Sequence, residues 1–388
     1  MTSLYRFLLA ALAAISGLTA AVAAGWLIGF LPLPLVAPDD ALALLLLSPA
    51  GLGRLVLVAA LLGAVSALLL LAPGVRGDPR VLLPAAAVQL LVFGVAVQGI
   101  GAIALAGYLL AFLLPVALVL LAVQVVRRYP RLRAMVALAV LAAGLWGVTT
   151  ETLRPDRLRQ LGTNLATGFA GAYGELLPIL LFTALAAGWA VLVATTLRRT
   201  PLAARMTDWV VRHRRVLTVV AALGPVPYAL ARATWLTPWP QFAGPVEAMT
   251  PEIRLWGLLL GGAATLGAVL TVGLIRPWGE VFPRWMPGLA GRPVPVRVAA
   301  VPGGIVATLV TLAAAPMLVA MLAGDLTAGE KVMSVLLFPF SVWGPALGLA
   351  VWGYVAHRAR TRQIGSEMRP EPVEGPSTSS GRIREAAG

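Results

Sequence analysis

Leu55-Val-Leu-Val-Ala-Ala-Leu-Leu-Gly-Ala-Val-Ser-Ala-Leu-Leu-Leu-Leu-Ala72 carries no charge and a single hydroxyl, Ser66. At a helical rise of about 1.5 Å per residue, such a run nearly crosses a hydrocarbon core about 30 Å thick. Lipid offers the backbone no hydrogen-bond partners, so a segment of this kind has to be helical. The pattern recurs. Ten apolar runs occupy residues 7–31, 54–73, 81–100, 105–126, 134–150, 176–197, 216–237, 254–275, 298–323 and 333–355. They predict an all-α polytopic transmembrane helix bundle with about ten spanning helices. The expected organisation is an integral membrane domain over residues 1–357 and a cytoplasmic tail over 358–388, basic and then disordered.

Composition agrees. The 388 residues are 59% hydrophobic and 12% charged, with a mean hydropathy of +0.89, whereas soluble chains run at about 25% charged. A cytosolic enzyme and a secreted disulfide scaffold are excluded. The net charge of +14 does not imply a nucleic-acid partner. Its arginines fall in short loops between apolar runs rather than in one basic patch. The partner is the lipid bilayer. The chain has no cysteine, so thiolate chemistry and Cys-bound metals are absent.

Counting Lys and Arg over alternate loops gives 23 on one side and 7 on the other. Basic residues are retained on the cytoplasmic side, which predicts a multi-pass plasma-membrane protein with both termini cytoplasmic. Trp26, Trp146, Trp235, Trp239 and Trp256 fall at outer ends of runs, and Trp209, Trp278, Trp285 and Trp352 at inner ends, as amphipathic indoles prefer. Trp189 and Trp343 lie deeper and are expected between helices. The first run resembles a secretory signal, but its continuation to Phe30 favours an uncleaved anchor.

Several connectors have their own pattern. Leu158, Leu161, Leu165 and Phe169 recur at helical spacing after Pro155, and Thr207-Asp208 is placed to cap a short basic turn; both read as interfacial helices. Residues 366–388, rich in Pro, Ser, Gly and Glu, have little to bury and are expected to be disordered. Their Pro370–Arg382 string resembles the product of a reading frame entering a repetitive intergenic element. Arg80-Val-Leu-Leu-Pro-Ala-Ala and Arg215-Val-Leu-Thr-Val-Val-Ala-Ala raise the alternative of an internal repeat, against shared composition alone.

The motifs for common chemistry are missing. His213 and His357 both lie in arginine-rich stretches, no phosphate-binding loop occurs, and no run carries paired acidic residues. No catalytic residue, metal site or cofactor is assigned. Gln89, Gln98 and Gln124 are the notable polar side chains within runs; their ordinary role is an interhelical hydrogen bond, and a polar pathway is the sharper alternative. Leu223-Gly-Pro-Val-Pro-Tyr-Ala-Leu-Ala-Arg-Ala-Thr-Trp235 is the most informative segment. Pro225 and Pro227 interrupt the helix ladder, and interrupted spans are frequent at transporter binding sites. Arg232 either snorkels to the outer interface or pairs with a carboxylate, Glu175 before Glu247 or Glu252. Arg232, Glu175, Tyr228, Gln89 and Gln98 therefore form the candidate substrate-binding set.

Gly224-Pro-Val-Pro-Tyr-Ala-Leu, Arg232 and Trp235, with Arg276-Pro-Trp-Gly, Pro283-Arg-Trp and Pro287-Gly-Leu-Ala-Gly-Arg292-Pro-Val-Pro, resemble a group of uncharacterised polytopic membrane proteins from high-GC bacteria. The resemblance covers runs seven to nine. It implies a membrane bundle and transfers no functional residue. A transporter or permease-like protein acting on a small molecule is the leading expectation, followed by a non-catalytic membrane protein that binds partners or lipid. A lipid-linked glycosyltransferase using Asp39 or Asp40 is third, because such enzymes carry an acidic residue in the first outer loop.

Overall fold

The computed structural model describes residues 3–31, 42–75, 77–99, 133–149, 173–198, 200–242, 249–284, 289–323 and 326–367. It also describes isolated positions between 101 and 127, between 154 and 167, and at 286. Twelve α-helices occur among them. They are α1 (Ser3–Leu27), α2 (Pro49–Leu71), α3 (Pro79–Leu91, continued by a π turn Val92–Ala96), α4 (Arg133–Thr149), α5 (Tyr173–Leu197) and α6 (Pro201–Leu223). Then follow α7 (Val226–Ala233), α8 (Pro251–Gly273), α9 (Val296–Leu312), α10 (Ala314–Ala323), α11 (Ala328–Leu337) and α12 (Phe340–Glu367).

Eight spans among the described residues are long and apolar enough to cross a membrane: α1, α2, α3 with its π turn, α5, α6 with α7, α8, α9 with α10, and α11 with α12. The chain is an all-α polytopic bundle. The run at 134–150 appears as α4, whose 17 residues are shorter than a full crossing. The run at 105–126 lies almost wholly outside the described residues.

Four helices start the same way. Ser48-Pro49, Asp78-Pro79, Thr200-Pro201 and Thr250-Pro251 place a side-chain acceptor at the N-cap and a proline at the first helical position. The cap satisfies a backbone N–H that the helix leaves open, and proline has no N–H there to lose. Thr327 and Glu330 form a reciprocal capping box at the start of α11.

This corrects one expectation. Thr207-Asp208 caps nothing: α6, capped by Thr200, starts at Pro201 and runs unbroken through the basic segment. Thr207 donates to the Ala203 carbonyl within the helix, and Asp208 pairs with Arg360 of α12. Helix α12 extends through Glu367, so the boundary drawn at 357 falls inside a helix. Residues 368–388, the connector around 157–169 for the most part, and Asp39 and Asp40 lie outside the described residues.

The buried apolar residues form an N-terminal core from α1, α2, α3 and α5, and C-terminal clusters from α6, α9 and α12. Close approach is set by glycine. Trp26 lies on Gly53 and Leu12 on Gly188, where any Cβ would collide. Trp189 is fully buried in the N-terminal core. Leu312, at the end of α9, packs against that core beside Gly94 of the π turn and joins the two halves.

Candidate functional site

The interruption at Gly224-Pro225 divides one span into α6 and α7. Pro225 and Pro227 have no N–H, so the carbonyls of Ala221 and Leu223 lose their usual donors. Gly224 keeps helical dihedrals, φ −51° and ψ −51°. Its bare, buried Cα receives the ring of Trp343 from α12, which occupies the position a Cβ would need. The partner span is interrupted at the same level, where Phe338-Pro339 separates α11 from α12. A third interruption, at Ala313 between α9 and α10, packs with Val310 and Phe340. Three interrupted spans therefore meet in one cluster.

Aromatic rings line that meeting point. Tyr228 of α7 lies 5.3 Å from Phe338, Phe338 lies 5.8 Å edge-on to Phe340, and Phe340 lies 5.7 Å from Trp343, centroid to centroid. Arg232 extends the array. Its guanidinium carbon is 3.9 Å from the Trp235 ring centroid and 4.9 Å from that of Tyr228. Positions 228, 232 and 235 are spaced four and three apart, so they share one face of α7 and the 3-10 turn Thr234–Leu236 that continues it. That face rests on Gly257 and Gly261 of α8, with Trp235 over the first glycine and the Arg232 stem over the second. The Trp235 indole N–H donates to the Gln241 carbonyl at 2.9 Å and fixes the ring.

Arg232 is half-buried, and its Nε has no hydrogen-bond acceptor among the described residues. No carboxylate among them lies within ion-pair distance of it. The charge is held by rings. Stacking uses the faces of the guanidinium and leaves its edge donors free for an anion.

The structure brings together two residues of the expected set, Arg232 and Tyr228, and adds Trp235, Phe338, Phe340 and Trp343. Glu175 lies in the first turn of α5, which packs mainly on α1 and α3; its side chain is outside the described residues. Gln89 and Gln98 belong to the N-terminal core, away from α7. Gln89 is buried and donates to the Ala59 carbonyl of α2 at 2.7 Å over Gly63. Gln98 is buried too and donates at 2.7 Å to the Phe93 carbonyl within the π turn. Both keep an Oε1 without a partner among the described residues.

A second polar assembly lies at the opposite end of the C-terminal helices. The segment between α8 and α9 is a folded hairpin. Val294 N donates to the Glu280 carbonyl, Phe282 N to the Arg292 carbonyl, and Gly291, at φ 75°, turns the chain. Arg358 of α12 is 7% exposed and clamps this hairpin. It donates to the Val294 carbonyl at 3.0 Å, the Gly279 carbonyl at 3.3 Å and the Tyr354 hydroxyl at 3.1 Å. Tyr354 in turn donates to the Gly279 carbonyl at 2.8 Å. In the sequence Arg358 reads as part of a basic tail, because two of its three acceptors are backbone carbonyls more than sixty residues away.

No group of His, Asp and Glu among the described residues has the arrangement of a metal site. No family model, curated protein or solved structure matches the chain. Fold and apolar helices together define a multi-pass membrane protein.

Proposed function

We propose that this is a transporter or permease-like protein of the bacterial plasma membrane, with both termini cytoplasmic, acting on a small organic anion beside Arg232. The observation that carries this reading is the meeting of three interrupted spans at one aromatic cluster with an edge-free guanidinium. Interrupted helices provide hinges and unpaired backbone groups, which suit a site that must open to either side. The arginine distribution supports the orientation. The resemblance to polytopic proteins of high-GC bacteria supports the choice of membrane.

A second reading has its own support. Trp343 fills the notch at Gly224, so the interruption is packed by side chains, as suits a non-catalytic protein that binds partners or lipid. Thiol accessibility separates the two, since the chain has no cysteine of its own. Ala313 lies at the interruption and is 2% exposed. In sealed vesicles, Ala313→Cys should react with an impermeant maleimide added from either side. Ala203→Cys and Ala328→Cys, each labelled from one side only, serve as controls. Protection of Ala313→Cys from both sides would overturn the transport reading and leave the second.

A further inference from the structure

At the arginine-rich end, α6 and α12 enclose more positive than negative charge. Arg214 faces Gly353 of α12; a Cβ on that glycine would lie 3.3 Å from the Arg214 Cβ. Arg214 Nη1 is closed off from solvent and has no acceptor among the described residues. Thr218, one turn along the same face and 1% exposed, also has an unpartnered hydroxyl. Close by, the buried Arg358 spends its donors on neutral oxygens of Gly279, Val294 and Tyr354. Both Arg214 and Arg358 act electrostatically on His357, whose Nε2 lies 3.6 Å from Glu280. The other nearby carboxylate, Asp208, is engaged by Arg360. Glu280 thus faces His357, and no carboxylate among the described residues pairs with Arg214 or Arg358.

Buried charge without a counter-charge is costly, and a bound anion relieves that cost. The location selects the anion. This end is where the spans meet the headgroup region, and basic pockets between helices there receive phosphate. Along α6, Val216, Val219 and Leu223 are exposed apolar side chains on the face turned away from α12, so Arg214 stands where the apolar part of the span begins. We propose that the seam between α6 and α12 binds the phosphate of an anionic phospholipid, with Arg214 as principal donor. The bound lipid would fasten α6 to α12 and, through Arg358, to the hairpin.

The test uses the full-length protein in a neutral detergent. Its thermal unfolding is followed as phosphatidylglycerol, phosphatidylcholine or inorganic phosphate is added. Phosphatidylglycerol should raise the melting temperature well above the other two. Arg214→Gln should lose most of that rise, and Arg212→Gln, on an exposed neighbour, should keep it. An equal rise in Arg214→Gln, or with phosphatidylcholine, overturns the proposal. A rise reproduced by inorganic phosphate alone also overturns it and assigns the seam to a free anion. If Arg214→Gln does not fold, native mass spectrometry of the unaltered protein decides. Selective retention of phosphatidylglycerol over phosphatidylcholine supports the site, and equal retention overturns it.

Discussion

Arg232 occupies a position where a charge in an apolar helix needs an explanation. An arginine at mid-membrane costs about 2.5–3.5 kcal/mol on insertion scales, and less toward the ends. The rings of Tyr228 and Trp235 offset part of that, each contact contributing about 0.5–2 kcal/mol according to desolvation. Arg232→Gln should therefore destabilise by about 1–3 kcal/mol in reversible unfolding from mixed micelles, if both rings contribute. Arg232→Lys should recover only part of this, because an ammonium cannot stack as a plane. A double-mutant cycle locates the partner. Arg232→Gln with Trp235→Leu should cost less than the two single changes added, while Arg232→Gln with Glu175→Gln should be additive. Coupling to Glu175 instead would restore the ion-pair expectation. The three-residue face was legible in advance, since 228, 232 and 235 follow helical spacing. Its seat on Gly257 and Gly261 was not, because local sequence does not say which helices become neighbours.

Helices and their interruptions were legible unevenly, and proline explains why. Gly224-Pro-Val-Pro227 marked a break by removing two N–H groups within one turn, and a break is found. Pro302 and Pro345 sit inside α9 and α12 without dividing them, since neighbouring helices support a single lost bond. The four Ser, Asp or Thr residues followed by proline were present in the sequence as start signals and went unused. Pairing Gly224 with Trp343 required the tertiary fold, and it is testable. Trp343→Ala should cost about 3 kcal/mol, the low end for tryptophan truncation because the ring is half-buried. Gly224→Val should cost about 1–3 kcal/mol by overpacking. The double variant should cost less than the sum, because the removed ring makes room for the added side chain. At the hairpin, Arg358→Gln removes donors from the Gly279 and Val294 carbonyls, an effect of about 1–3 kcal/mol for each group left buried and unpaired. Trypsin should then cut faster at the exposed Arg284 of the hairpin, with Arg358→Lys intermediate. An unchanged cleavage rate would show that the hairpin holds without its clamp.

Across the whole molecule, the direction of each span constrains the number of crossings. Helices α1 and α2 pack antiparallel, with Trp26 and Leu27 at the end of α1 meeting Gly53 near the start of α2. Helix α3 leaves the arginine-rich end at Arg80 and reaches the opposite end at the π turn. Helix α5 pairs antiparallel with α1, Gly188 meeting Leu12 and the earlier Phe182 lining one cavity with the later Ala23 and Trp26, so it begins at that opposite end. The chain between Ala96 and Tyr173 must therefore cross an even number of times. Ten spans satisfy this with two crossings, the run at 105–126 and α4; eight spans satisfy it with none. Hydropathy favours two, since both runs are apolar and four arginines, Arg127, Arg128, Arg131 and Arg133, lie between them. Ala134→Cys, at the start of α4, distinguishes the cases. With two crossings it reacts with an impermeant maleimide from the same side as Ala203→Cys, where the arginines gather. With none it reacts from the side of Ala328→Cys, and the bundle has eight spans with a long apolar excursion on the arginine-poor face.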